Sequence, residues 1–126
     1  MGNGTPIGRV RGLGSAHSGS HHWLLQRFTA IGGLISVLWL AGSLLAMNDY
    51  SFKAMHAWAS QPLSATLLGL LILSTFWHAR LGMQVMIEDY FHETANKFAA
   101  LALLNLAAFA GAAFGLLCVI RLALGA

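Results

Sequence analysis

Residues 62–90 read PLSATLLGLLILSTFWHARLGMQVMIEDY and form the central apolar segment of a 126-residue chain. From Leu63 to Trp77 this segment is apolar apart from hydroxyl groups, and His78 and Arg80 follow directly. Its length exceeds the ~20 residues that a helix needs to cross a bilayer. Because ionisable groups are costly inside a span, His78 and Arg80 predict a functional site on this helix.

Apolar segments also lie on both sides of this one. Of the whole chain, 57% is hydrophobic and only 9% is charged, whereas soluble domains carry about 25% charged residues. The predicted fold class is therefore an all-α membrane protein with three transmembrane helices, spanning about residues 23–47, 62–89 and 98–122. Residues 1–20 are interpreted as a mobile cytoplasmic N-terminal arm, and residues 21–126 as one anchor domain.

Lysine and arginine are unevenly divided between the two sides that three spans create. Five basic residues lie on or toward the side of the N-terminus: Arg9, Arg11, Arg27, Arg80 and Lys97. Two lie on the other side: Lys53 and Arg121. Cytoplasmic segments carry the excess of basic residues in membrane proteins. The sequence thus predicts an N-terminus inside and a C-terminus outside.

Several kinds of site are excluded by composition. Cys118 is the only cysteine, which excludes an internal disulfide, a cysteine-bound iron–sulfur cluster within this chain and a multi-cysteine zinc site. No dense basic stripe with interleaved aromatic residues is present, so a nucleic-acid partner is not expected. The sequence also lacks a flavin-binding glycine motif after a strand.

His78 has two interpretations. It either hydrogen-bonds a neighbouring helix or serves as an axial ligand to haem iron, for which a neutral imidazole is well suited. The chain has no second histidine in the middle of a span, so a six-coordinate haem needs its other ligand from a partner subunit. Gly82 lies four residues further on the same face and leaves room either for a flat macrocycle or for a close helix.

Asp89 and Tyr90 end the central segment. Asp89 follows His78 by eleven residues, which returns it to within about 20° of the same face, displaced ~16 Å along the axis. A tyrosine hydroxyl donates to a carbonyl oxygen and a nearby carboxylate relays protons, which is the chemistry that a quinone needs. The alternative is an ordinary membrane interface, with acidic residues in water and an interfacial tyrosine.

Basic residues cluster near the predicted inner side. Arg27 and Arg80 either extend to lipid headgroups or neutralise haem propionates and orient a quinone. His21 and His22 lie close enough in sequence to join Arg27. Arg80 is two positions from His78 and therefore points away from it.

Two stretches resemble a known family. The residues from His78 to Tyr90, followed by Phe91 and His92, resemble the histidine-to-Asp-Tyr signature of the small hydrophobic membrane anchor, of cytochrome b type, in succinate dehydrogenase, respiratory complex II. The residues 21–31, HHWLLQRFTAI, resemble the start of that family's first helix. With the three-span layout, the resemblance covers roughly residues 20–122.

The resemblance implies an electron-transfer and quinone-binding subunit that is not itself the dehydrogenase. His78 would ligate a haem b shared with a second, sister hydrophobic anchor. Tyr90 would hydrogen-bond ubiquinone with Asp89 supporting it, and Arg27 and His21 would lie near the haem propionates or the quinone-site entrance. An iron–sulfur protein and a flavoprotein would be the other partners of the complex in the bilayer.

Two alternatives remain beside this interpretation. In the first alternative, the chain is the anchor of a related fumarate reductase. In the second, it is a haem-free structural membrane adaptor in which His78 only packs. The expected location is the bacterial inner membrane, with the mitochondrial inner membrane as the alternative. Arg80 and Glu88 receive no role from the resemblance.

Overall fold

A computed structural model of the chain describes residues 19–125. These residues form helices α1 (Gly19–Leu45), α2 (Phe52–Ala59), α3 (Pro62–Tyr90) and α4 (Thr94–Leu124). Helices α1, α3 and α4 are long and apolar enough to cross a membrane. The predicted all-α, three-span fold is thereby confirmed. The arm predicted over residues 1–20 lies outside the described residues, apart from its last two, which begin α1.

Helix α3 is the central member of the bundle. It packs along α1 on one side and along α4 on the other, and α1 makes no contact with α4 in the described part of the chain. The three spans therefore stand side by side in a row. Large apolar side chains cover the outside of the row, and Phe28 and Phe109 are 64% and 76% exposed. Such an apolar outer surface is suited to contact with lipid rather than with water.

Small residues set the distance between α3 and α4. A Cβ atom added at Gly115 would lie 3.0 Å from Ile72 Cγ2, and one added at Gly111 would meet the ring of Phe76. The backbone of α4 thus approaches side chains of α3 closely, as the Gly111-to-Gly115 spacing of small residues predicts.

Helices α1 and α3 approach each other in the same way. A Cβ atom at Gly32 would lie 3.1 Å from Ser74 Oγ. Ser36, one turn along, is buried and donates its hydroxyl to the Gly32 carbonyl oxygen at 2.8 Å. Because the two serines are short and the glycine has no side chain, α1 and α3 pack closely at this level.

The short helix α2 lies between the first two spans. Asp49 accepts hydrogen bonds from the backbone N–H and the hydroxyl of Ser51, both at 2.8 Å, and these bonds lower the pKa of the Asp49 carboxyl. Ser51 in turn accepts from the Ala54 N–H and caps α2. At the other end of α2, Trp58 stacks on Trp39 of α1 with ring centroids 5.7 Å apart. Helix α2 is thus held against the end of α1.

Candidate functional site

His78 lies on the face of α3 that packs against α1. Its Nδ1 is 3.3 Å from the Thr29 hydroxyl oxygen, which is itself 2.9 Å from the Leu25 carbonyl oxygen. A hydroxyl has one proton, and the shorter contact assigns it to the carbonyl. Thr29 then accepts from the Nδ1–H of His78. In the neutral imidazole that donates from Nδ1, the Nε2 atom carries a lone pair for a ligand.

A cleft of about 330 Å³ lies beside His78, between α1 and α3. Its walls consist of small or hydroxyl-bearing side chains together with Leu34: Thr29, Ala30, Gly33, Ser74, Thr75 and Ala79. Small side chains on both helices leave room for a flat group beside the imidazole. The residues present therefore fit a planar macrocycle bound through the histidine.

Gly82 lies one turn beyond His78, and the sequence predicts that it makes room either for a flat macrocycle or for a close helix. A Cβ atom at Gly82 would lie 3.6 Å from Gln26 Nε2 of α1. Gly82 therefore faces a neighbouring helix, in ordinary van der Waals contact. Two polar atoms in this part of α1, Gln26 Oε1 and His22 Nε2, are buried without a hydrogen-bond partner in the described residues.

Asp89 and Tyr90 form the C-terminal end of α3. Both are exposed, Tyr90 by 76%. Tyr90 lines an apolar cleft of about 220 Å³ together with Met83, Met86, Ile87 and Phe91. Because α3 is continuous from Pro62 to Tyr90, His78 and Tyr90 belong to one rigid element. Eleven residues separate His78 from Asp89, so the two positions are ~16 Å apart along the axis.

Arg27 and His21 lie in the N-terminal part of α1, at the same end of the bundle as Tyr90. Both side chains are exposed. The guanidinium carbon of Arg27 is 5.2 Å from the centroid of the Trp23 ring, in cation–π contact. Arg27 is two residues from Thr29, a rotation of about 200° around α1. It therefore lies at this end of the bundle, on a different face of α1 from the one that meets His78.

Arg80 points away from His78, as its position two residues along predicts. Its Nε donates to the side-chain oxygen of Asn105 on α4, and its guanidinium carbon is 5.8 Å from the Trp77 ring centroid. His78 and Arg80 therefore face different neighbouring helices.

The sequence of this chain matches a family of known proteins. Residues 1–114 match the family model described as Succinate dehydrogenase/Fumarate reductase transmembrane subunit. The chain belongs to this family. The anchor is 42% identical to the succinate dehydrogenase hydrophobic membrane anchor subunit of Rickettsia bellii over 67% of each chain. The same subunit of Rickettsia conorii is 37% identical over 71% of this anchor and 74% of its own length.

A more distant relative has the same description. The succinate dehydrogenase hydrophobic membrane anchor subunit of Paracoccus denitrificans is 29% identical over 75% of this chain and 74% of its own. These relatives and the three spans agree with the expected multi-pass protein of the bacterial inner membrane. The anchor is thus a membrane subunit of a succinate dehydrogenase complex.

Sequence reasoning missed Thr29 and Gln26 as members of the His78 environment. Both face α3. Neither is charged or belongs to a recognisable motif, and polar residues of this kind are common where a helix meets the membrane interface. Their spacing offered a signal, because His22, Gln26, Thr29 and Gly33 recur at three- and four-residue intervals and share one face of α1.

Proposed function

We propose that this anchor holds one side of a haem b and forms part of the ubiquinone-reduction site of a succinate:quinone oxidoreductase. A sister anchor would supply a second haem ligand and the remainder of the quinone pocket. An iron–sulfur protein, which receives electrons from a flavoprotein, docks at the end where α3 finishes. The anchor takes no part in succinate oxidation; it orients the quinone and moves protons.

The contact between Thr29 and His78 is the observation that carries this proposal. Metal-ligating histidines nearly always donate their second N–H to an oxygen, which fixes the tautomer and the ring orientation. Thr29 Oγ1, at 3.3 Å from Nδ1, is such an oxygen. Haem b, when bound, supplies a one-electron carrier beside the quinone site. His78 would hold it through Nε2, and the small residues of the cleft would leave space beside the imidazole.

Tyr90 and Asp89 act at the aqueous end of the same helix. The exposed phenol of Tyr90 is free to donate to a quinone carbonyl oxygen, and the apolar cleft beside it accepts the ring. Asp89 is the adjacent carboxylate, and it passes protons from water to the reduced quinone oxygen. Two-electron reduction of a quinone to a quinol consumes two protons, which a titratable group at this edge can deliver from water.

Arg27 and His21 provide positive charge at this end of the bundle. Arg27 precedes Thr29 by two residues, which is ~3 Å along the helix axis. A guanidinium pairs well with carboxylates, and haem propionates are carboxylates. Arg27 and His21 would thus lie near the haem propionates or the entrance of the quinone site, with Arg27 on a face of α1 other than the one that meets His78.

Replacement of His78 tests the proposal. In the complex purified through this chain, we expect His78→Ala to abolish the low-spin bis-histidine haem b absorbance. The matched control is His56→Ala, which removes a histidine from α2 at the opposite end of the bundle and should leave the spectrum unchanged. Quantitative blotting of the partner subunits separates haem loss from failed assembly.

The outcomes of this experiment are distinct. A His78→Ala complex that assembles without haem b supports the ligand role. Retention of the wild-type haem spectrum in that variant overturns it. A wild-type complex without any haem b absorbance would identify the chain as a haem-free structural adaptor.

A further inference from the structure

A second large groove lies between α3 and α4. It has a volume of about 720 Å³, and its walls are apolar except at one end, where Arg80 and Asn105 meet. We propose that this groove binds an anionic phospholipid, with the phosphate at Arg80 and an acyl chain along Leu73, Ala112 and Leu116. The inference is independent of the haem and quinone roles proposed above.

The groove opens on the other side of the helix row from the His78 cleft. Leu73 and Trp77 line the groove, whereas Thr75 and Ala79 line the cleft. Two residues along a helix correspond to a rotation of about 200°, so the two pairs face nearly opposite directions. A partner that covers the His78 cleft therefore leaves the groove open to lipid.

Charge determines the kind of lipid. The partner that the structure gives Arg80 is a neutral amide, and Asn105 is already engaged through its own N–H₂ group with the Leu101 carbonyl oxygen at 2.8 Å. The acidic residues of the chain lie at helix ends and connections, away from the groove: Asp49, Glu88, Asp89 and Glu93. A guanidinium has five N–H donors and binds phosphate in a forked geometry. A cation within a bilayer requires such a counterion.

The depth of Arg80 suits a headgroup phosphate. A hydrocarbon thickness of ~30 Å corresponds to ~20 helical residues. Counted from Pro62, Leu45 and Leu124, where the spans adjoin the α2 side of the bundle, this thickness ends near Gly82, Leu25 and Leu104. Arg80 and Asn105 therefore lie at the opposite boundary of the hydrocarbon, where lipid phosphates are found.

The polarity along the groove matches a lipid of that leaflet. From Arg80 to Leu73 the groove extends ~10 Å toward the middle of the membrane, and its walls there are Trp77, Leu73, Ala112, Ala113 and Leu116. A headgroup at Arg80 thus places its own acyl chain in the apolar part. An anionic lipid is favoured over a zwitterionic one, since the latter brings a cation that competes with Arg80.

Photolabelling of the intact complex tests the proposal. The purified complex is placed in phosphatidylcholine nanodiscs that contain a trace of phosphatidylglycerol with a diazirine in mid-chain, and labelled peptides are mapped by mass spectrometry. We expect labels at residues 73–77 and 112–116. Arg80→Gln should lower this labelling about fivefold, the factor that corresponds to ~1 kcal/mol per basic residue near an anionic headgroup. The matched control Arg121→Gln, at the other end of α4, should leave it unchanged.

Two further variants separate binding from folding. Ala112→Leu fills the apolar part of the groove and leaves Arg80 in place, so it should lower the labelling by phosphatidylglycerol even if Arg80→Gln fails to assemble. Arg80→Lys keeps the charge and should retain most of the label.

Four outcomes would overturn the inference. They are equal labelling by a diazirine-bearing phosphatidylcholine, undiminished labelling in both Arg80→Gln and Ala112→Leu, preferential labelling by a photoreactive ubiquinone, and an unlabelled groove beside labelled lipid-facing residues of α1. The last result would mean that a partner helix covers the groove.

Discussion

At the scale of single residues, a chain of polar contacts links the Leu25 carbonyl, the Thr29 hydroxyl and the imidazole of His78. The hydroxyl of Thr29 is committed to the carbonyl of its own helix at 2.9 Å, so its lone pair faces Nδ1 of His78. This helix-internal hydrogen bond on α1 favours the tautomer of His78 in which Nδ1 carries the proton. In the proposed haem site, Thr29 would take the part that a carbonyl or carboxylate has in many metal sites, where the outer partner orients the ligand.

The role of Tyr90 is tested by the removal of one oxygen atom. We expect Tyr90→Phe to lower the rate of ubiquinone reduction by succinate about fivefold or more, because a hydrogen bond to the quinone is worth ~1 kcal/mol. Succinate oxidation with an artificial dye as acceptor should be unchanged, since that reaction does not use this end of α3. Parallel assays of the purified complex with the two acceptors make the measurement.

The other tyrosine of the chain provides a control. Tyr50 lies in the connection before α2 and donates to the Leu44 carbonyl oxygen at 2.7 Å. Tyr50→Phe removes a phenol hydroxyl at the opposite end of the bundle and should leave both activities unchanged. Equal losses with both acceptors in Tyr90→Phe would refute the quinone role and indicate damage to the complex.

The sequence identified some of these residues and missed others for a physical reason. His78 is conspicuous because an ionisable group in an apolar run is costly. Thr29 and Gln26 are not conspicuous in the sequence, since threonine and glutamine are common near helix ends. Their significance depends on the register between α1 and α3, and that register follows from the contact of Gly32 with Ser74, which no local pattern specifies.

At the scale of elements, hydropathy located the spans, and the helices extend beyond the predicted spans. Spans were predicted from residues 23 and 98, whereas α1 begins at Gly19 and α4 at Thr94. Hydropathy reports the part of a helix that lies in hydrocarbon. The helices continue through polar residues such as His21, His22 and Asn96, because the backbone hydrogen bonds of the helix do not depend on side-chain polarity. The additional turns lie at the end of the bundle that carries Tyr90.

Close packing of α3 on α4 predicts the effect of a single methyl group. We expect Gly111→Ala to lower the thermal stability of the assembled complex, because its Cβ atom would meet the Phe76 ring and such overpacking costs about 1–3 kcal/mol. Gly42→Ala is the matched control, since nothing lies within 4 Å of a Cβ atom there. Both variants gain helix propensity, so their difference isolates the packing.

Differential scanning fluorimetry of the two variants with wild type makes the comparison. The Gly111→Ala midpoint should fall, while the Gly42→Ala midpoint should stay level or rise. If both variants shift alike, the α3–α4 contact does not limit the stability of the complex.

At the scale of the whole molecule, the three spans and their antiparallel packing bring the candidate site residues to one end. Helix α1 begins and α3 finishes at this end, so His21, Arg27 and Tyr90 gather there, and His78 and Arg80 lie somewhat deeper in the bundle. Helix α2 and Arg121 mark the other end. The sequence predicted which residues lie at each end of the bundle, because the apolar spans and the charged residues can both be located along the sequence. It did not predict the α3–α4 groove, which depends on how α3 and α4 pack against each other.

The orientation of this bundle in the membrane is the remaining prediction. The distribution of basic residues predicts that the α3–α4 connection lies inside and α2 outside. With Cys118→Ser as background, a membrane-impermeant maleimide applied to intact spheroplasts should label Lys53→Cys, in α2, and leave His92→Cys unlabelled. Both positions are exposed in the isolated chain. In inverted vesicles stripped of soluble subunits, the pattern should reverse. Labelling of His92→Cys in intact spheroplasts would invert the topology and would place the quinone-binding end on the side opposite to the one proposed.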